Sequence, residues 1–290
     1  MEPYLPAGEP ADPLLADRFP RRAELALPTE TLATRADLPF WLSNMVHAHH
    51  YTAAEATAVC GKTPAEVSQI AATLPRQTEM PGVLPYPGGR PLRIGFQEGA
   101  INPLRGTKTS VFLPWDRASY VVIDLPEAIF SNLGLLFLAH THVPTIWNQT
   151  NVVIENTDWV RAKDGLRSEW KLPNGVGFGA QVQSAGNRIE MELWLRNGTV
   201  EPLQNLRTQI CVLLKEAAGF NGQSNANKSY QNPEATVRSA DGKRSIVTAW
   251  ERCGRTWGNT ACPCMHSDPV LPDCAPGETV RLRGYLLFRA

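Results

Sequence analysis

The chain has 290 residues, long enough to bury a substantial core as one large domain or two ordinary ones. Lys plus Arg and Asp plus Glu both total 28, and no block of like charge stands out, which argues against a nucleic-acid partner or an acidic membrane surface. The longest apolar runs fall short of the ~20 residues that a membrane helix needs, so no membrane partner is expected.

The opening residues Met1 to Pro10 show neither a basic nor a hydrophobic export region, and the expectation is a soluble, cytoplasmic protein with reduced thiols. Residues 1–28 are proline-rich without an apolar period and read as an extended arm. Residues 29–80 read as a helical segment. Pro39 suits a first helical turn, Phe40, Trp41, Met45 and Val46 recur at helical spacing, and His47, His49 and His50 mark the helix end. Thr52 to Glu55 and Thr63 to Glu66 both have capping-box form, with Gly61 between them as a helix stop. A helix, glycine, helix order resembles the helix-turn-helix, but residues 64–73 carry no Arg or Lys to meet phosphates, which excludes a DNA reader. Three short helices need an external wall, so Phe40, Trp41, Met45, Val59, Val67 and Ile70 are expected to pack on the body or on a second copy of the chain in a homo-oligomer.

Beyond the Pro/Gly-rich linker ending near Arg90, residues 81–290 read as an antiparallel β-sandwich. Apolar runs of strand length alternate with turn signals such as Asn174-Gly175, Asn197-Gly198 and Asp241-Gly242. The segment Leu135 to Trp147 drives His140 and His142 into apolar sequence. On a strand their Cβ atoms would lie on one face about 6.6 Å apart, close enough to converge on one metal ion.

Arg188 to Arg196 alternates cleanly, with Glu190, Glu192 and Trp194 opposite an aliphatic face. If it pairs with the run from Leu206 to Lys215 through Asn197-Gly198, then Arg207, Gln209 and Cys211 join those residues on one floor suited to saccharide binding. The polar stretch Asn221 to Lys228, including Asn227 and Lys228, could close over it. Residues 250–269 read as a long irregular loop carrying Arg255, Trp257 and His266. Cys262, Cys264, His266 and Cys274 form an uncommon zinc spacing, and the alternative places His266 with His140 and His142 as metal ligand or general acid/base.

The stretches Phe137 to Trp147 and Met191 to Thr199 look like segments of a group of uncharacterised bacterial proteins. More loosely, residues 90–290 are similar in strand rhythm to the galactose-mutarotase-like supersandwich of aldose epimerases and several polysaccharide lyases. That resemblance implies a saccharide or sugar acid bound on a concave sheet, with histidine and carboxylate moving a proton. The combined expectation is an isomerase, epimerase or lyase in which His140, His142 and His266 hold a divalent metal ion, Glu192 or Glu190 is the base, and Trp194, Arg207, Gln209, Asn227, Lys228, Arg255 and Trp257 bind substrate. A non-catalytic sugar-binding module is the alternative.

Overall fold

A computed structural model describes residues 32–75, 82–90, 105–139, 145–147, 154, 157–162, 165–260 and 262–290. The helical segment comprises α1 (Leu38–Ser43), a π-helical turn (Asn44–Ala48), α2 (Ala53–Cys60) and α3 (Pro64–Thr73). Both capping boxes are formed: Thr52 and Thr63 accept the backbone N–H of Glu55 and Glu66, whose carboxylates reach back, and Gly61 ends α2 in the left-handed region.

The strands are β1 (Val83–Pro85), β2 (Lys108–Leu113), β3 (Asp116–Ser131), β4 (Gly134–Leu138), β5 (Val160–Ala162), β6 (Gly165–Lys171), β7 (Gly177–Ala185), β8 (Arg188–Arg196), β9 (Arg207–Leu213), β10 (Lys228–Gln231), β11 (Glu234–Arg238), β12 (Ser245–Trp250), β13 (Cys253–Trp257), β14 (Cys264–Pro269) and β15 (Thr279–Arg289). They form two antiparallel sheets. Sheet A has the order β1-β2-β3-β9-β14-β13, with β4 also on β3, and sheet B the order β10-β11-β12-β15-β8-β7-β6-β5. Val121 and Ile123 of β3, Ile210 and Val212 of β9, and Met265 of β14 meet Ile189, Met191, Leu193 and Leu282 of sheet B in one buried core. This is the sandwich expected from the alternation.

The expected pairing of β8 with β9 does not form. β8 lies between β7 and β15, whereas β9 lies between β3 and β14, so the chain changes sheets after Asn197-Gly198 instead of turning back on itself. Asn197 is buried and its side-chain amide donates to the carbonyls of Glu201 and Cys274, which fixes a crossing rather than a two-residue hairpin. Residues 253–269, read as irregular, contain the hairpin β13–β14. Every residue of β14 is buried, so burial leaves no polar/apolar alternation to read.

The helical segment lies against the outer face of sheet A, the face turned away from sheet B. Trp41, Met45 and Val67 share one apolar cluster with Phe40, Val59 and Ile70, while Arg105 and Arg161 of the body lie over the Trp41 and Phe40 rings. Further docking contacts are made by others. Ala48 joins Tyr86, Phe112, Tyr120 and Cys211 in an apolar cluster, Asn44 donates to the Pro85 carbonyl, and Arg90 binds Glu55 and the carbonyls of His49 and His50. His49 is the central pin. Its Nδ1 lies 2.9 Å from the Asn44 carbonyl and its Nε2 2.7 Å from the Ser110 hydroxyl, within a ring of Tyr51, Tyr86, Phe112 and Tyr120. The partners assign the neutral tautomer with Nδ1 protonated.

Burial, with Arg90 and His50 adding like charge, lowers the His49 pKa to about 3. Between about 6.5 and 3 the unfolded chain therefore binds a proton that the folded chain refuses, so His49's contribution is intact above pH 6.5 and is lost as pH falls. Urea midpoints should drop from pH 7.5 to pH 5, with a shallower drop in His49→Gln; equal slopes in the two proteins would refute the pin. Deleting residues 1–80 should uncover Phe112 and Tyr120 and give aggregation, whereas a monodisperse 81–290 fragment with an unchanged melting transition would show an independent module.

Candidate metal centre

Strand register builds a polar row across sheet A. Lys108 pairs with Asp124, Asp124 with Cys211, Cys211 with His266, and His266 with Trp257, so one rung over five antiparallel strands presents all five side chains on the outer face. The next rung pairs Gln209 with Ala128, and Arg255 pairs with Asp268. Between Asp124 and Ala128, β3 bulges against β9. The extra residues put Glu127 beside His266, an example of a bulge re-aiming a side chain.

His266 is the hub. Its Nε2 lies 3.6 Å from the Cys264 Sγ, while its Nδ1 lies 3.5 Å from Asp268 Oδ1 and 3.9 Å from Glu127 Oε2, in ion-pair range but longer than a well-made hydrogen bond. Asp268 is braced on both oxygens. Oδ1 accepts the Ile210 N–H at 3.1 Å, and Oδ2 accepts Trp257 Nε1 at 2.7 Å and Arg255 Nε at 2.9 Å. Trp257 stacks flat on the imidazole with centroids 4.0 Å apart, and Arg255 lies over the indole. Burial by itself would lower the His266 pKa, but Asp268 and the Cys264 sulfur outweigh it and raise the value to about 10. Hydrogen bonds from the Cys211 and Cys262 thiols, with His266 alongside, hold Cys264 well below the usual thiol range. Both shifts favour opposite charges side by side on Cys264 and His266.

Cys211, Cys264 and His266 bring their ligand atoms within 4.8 Å of one another. A tetrahedral zinc with Zn–S of about 2.3 Å and Zn–N of about 2.0 Å would hold sulfur and nitrogen ~3.5 Å apart, close to the 3.6 Å between Cys264 Sγ and His266 Nε2. The second shell also fits, since Asp268 faces the imidazole nitrogen that would not bind metal. Two thiolates and an imidazole suit zinc or another borderline-soft divalent ion better than calcium or magnesium.

The expected site residues separate into two groups. Gln209, Arg255, Trp257 and His266 gather at this centre. Lys228 of β10 approaches from the edge of sheet B: its Nζ donates to the carbonyls of Gly222 and Ser224 near the Cys262 and Cys264 sulfurs, and burial lowers its pKa. Asn227 bonds the Arg238 carbonyl across the β10–β11 hairpin, and Arg207 is an exposed cation over Phe130. Glu190, Glu192 and Trp194 lie on the outer face of sheet B, which removes them from the company of His266. Glu190 pairs with Arg188 and Glu192 with Arg281, while Trp194 packs under Arg167 and Arg281 and over Gly179, where a Cβ would meet the indole at 2.3 Å. His140 and His142 lie outside the described residues.

The zinc spacing drawn from sequence takes the wrong third cysteine. Cys274 sits in the inter-sheet core with its thiol toward the Glu278 carbonyl, and Cys211 stands with Cys264 and His266 instead. Glu127, Asp268, Asp124 and Lys108 went unread as site residues. For Asp268 the available signal was its place two residues beyond His266.

No family model and no curated protein matches the chain. Among solved structures, the Slr1438 protein from Synechocystis sp. PCC 6803 is similar at 13% identity, over 71% of this chain and 98% of that one, with a TM-score of 0.38. A GalM/aldose epimerase homologue from C. elegans is similar at 8% identity over 63% and 92%, with a TM-score of 0.34. A putative kojibiose phosphorylase from human microbiome is similar at 7% over 59% of this chain and 23% of that one, with a TM-score of 0.37. Similarities at this level carry no argument about activity. Among the described residues, no helix is long and apolar enough to cross a membrane.

The row also contains a buried ion pair whose energetics are measurable. Lys108 and Asp124 are 2% and 0% exposed and bond directly, with the Thr107 hydroxyl donating to Asp124 at 2.7 Å. Lys108→Met or Asp124→Leu alone should cost about 3–5 kcal/mol, because each leaves a charge in a dry face, while the double variant should be more stable than either single one. Urea midpoints that fall additively would show that the two groups are not coupled.

Proposed function

We propose that this protein is a metal-assisted carbohydrate enzyme of isomerase, epimerase or lyase type, acting on a saccharide or sugar acid at the outer face of sheet A. The observation that carries this reading is the double use of His266, with Nε2 beside a thiolate and Nδ1 toward a braced carboxylate. Cys211, Cys264 and His266 would hold a divalent ion, which would supply Lewis-acid polarisation of a substrate oxygen. Glu127 takes the role first assigned to Glu190 or Glu192. Its carboxylate, buried next to His266, would accept the proton from the carbon adjacent to a substrate carbonyl, with the C–H electron pair passing to the carbonyl oxygen. Returning that proton to the neighbouring carbon isomerises, returning it to the opposite face epimerises, and expelling a group from the next carbon makes a lyase.

The saccharide part of the reading is supported by a face that carries the Glu127 carboxylate and the unpaired Gln209 amide beside the Arg255 guanidinium. The non-catalytic alternative requires open indole platforms. Trp194 is 5% exposed, and Trp257 is occupied by His266 and Arg255, which favours the enzyme.

Elemental analysis of the purified protein should find about one divalent ion per chain, retained poorly by Cys264→Ser and His266→Gln. Metal-free protein whose thermal transition ignores both zinc and a chelator would sink the centre. Aldoses and uronates incubated with the enzyme in deuterium oxide should gain deuterium next to the carbonyl, and Glu127→Gln should abolish this while keeping its metal. No exchange into any of them would remove the proton-transfer assignment.

A further inference from the structure

We infer that Gln209 is the substrate-positioning residue of this face, and that it selects a substrate carrying two adjacent hydroxyls. The inference rests on the metal-assisted reading above and adds the group that the site recognises. Gln209 is 1% exposed, yet among the described residues neither its Nε2 nor its Oε1 has a hydrogen-bond partner. Buried amides are almost always paired, so this side chain stands out from its surroundings.

The neighbours explain why it is unpaired. Across β3 its partner is Ala128, whose methyl group offers no polar atom. On the β14 side, Asp268 has both oxygens committed, to the Ile210 amide and to Trp257 and Arg255. Gln209 therefore sits with a donor and an acceptor side by side, two residues along β9 from Cys211 and one register position from the Glu127 bulge. A primary amide presents this pair in a fixed plane, and vicinal hydroxyls match it: one oxygen accepts from Nε2 while the neighbouring hydroxyl donates to Oε1. The site built this way rejects an analogue lacking one hydroxyl, because one end of the buried amide is then left unpaired.

The test uses full-length protein, its Gln209→Met variant of similar side-chain length, and three probes: methyl D-galactopyranoside, D-galacturonate, and the 3-deoxy analogue of the glycoside, in which no two hydroxyls are adjacent. Binding is read by thermal shift and, separately, in cobalt-loaded protein by the cobalt–thiolate absorption. Wild type should bind the galactoside or galacturonate at least tenfold tighter than the deoxy sugar. Gln209→Met should fold with an equal or higher transition temperature, keep the ligand-free cobalt spectrum, and lose the discrimination. The inference is overturned if no probe binds wild type, if the variant discriminates as wild type does, or if the variant is strongly destabilised, which would make Gln209 a structural residue. Failure of the metal reading appears differently, as absent cobalt uptake, and leaves the thermal-shift comparison standing.

Discussion

A row of polar side chains lies on a sheet face from which water is excluded, and the remaining features of the molecule answer to that constraint. Taking a charge out of water is costly unless a partner of opposite sign is fixed beside it. Strand register supplies the partners. Lys108 stands opposite Asp124, and Cys264 on β14 reaches His266 two residues along the same strand. Asp268 is met by Arg255, Trp257 and a backbone amide. Shifting β14 by one residue would turn Cys264, His266 and Asp268 into the apolar inter-sheet core and bring Met265 out, so the pattern that fixes the core also fixes the site.

The dryness of that face depends on the helical segment. Ala48 and the aromatic ring around His49 belong to the same apolar surface as Cys211, Cys262 and Cys264. His49 is accommodated by staying neutral, the opposite solution to that of His266, although both are fully buried. The difference lies in their neighbours. A carbonyl, a hydroxyl and aromatic rings surround His49, whereas a thiolate and two carboxylates face His266. Equal burial thus drives one imidazole down in pKa and lets the other rise.

Local signals were legible in the sequence and long-range register was not. The capping boxes at Thr52 and Thr63 and the strand Arg188–Arg196 appear as read, because cap chemistry and two-residue alternation are properties of a few adjacent residues. The β14 strand was hidden because burial on both faces removes alternation, and Glu127 because a bulge in β3 sets its direction. Cys211 was read onto one floor with Glu190 and Glu192, which lie in the other sheet because β9 pairs with β3 and β14. Pairing β8 with β9 was the natural inference from Asn197-Gly198, but Asn197 spends its amide on Glu201 and Cys274 and sends the chain across the sandwich. Gln209 was read as a binding residue, yet its distinguishing property, an amide with no partner, belongs to the folded surroundings alone.

Net charge bears on how a divalent ion would be held. Hydrogen bonds from the Cys211 and Cys262 thiols lower the Cys264 thiol, while Asp268 and that sulfur raise His266, so opposite charges are favoured side by side where an uncompensated one is expensive to bury. In the proposed centre two thiolates and a neutral imidazole would balance a divalent ion without a new counter-ion. A third thiolate at Cys262 would add a negative charge, and Lys228, whose pKa the Cys262 and Cys264 sulfurs raise against its burial, stands on the side that could offset it.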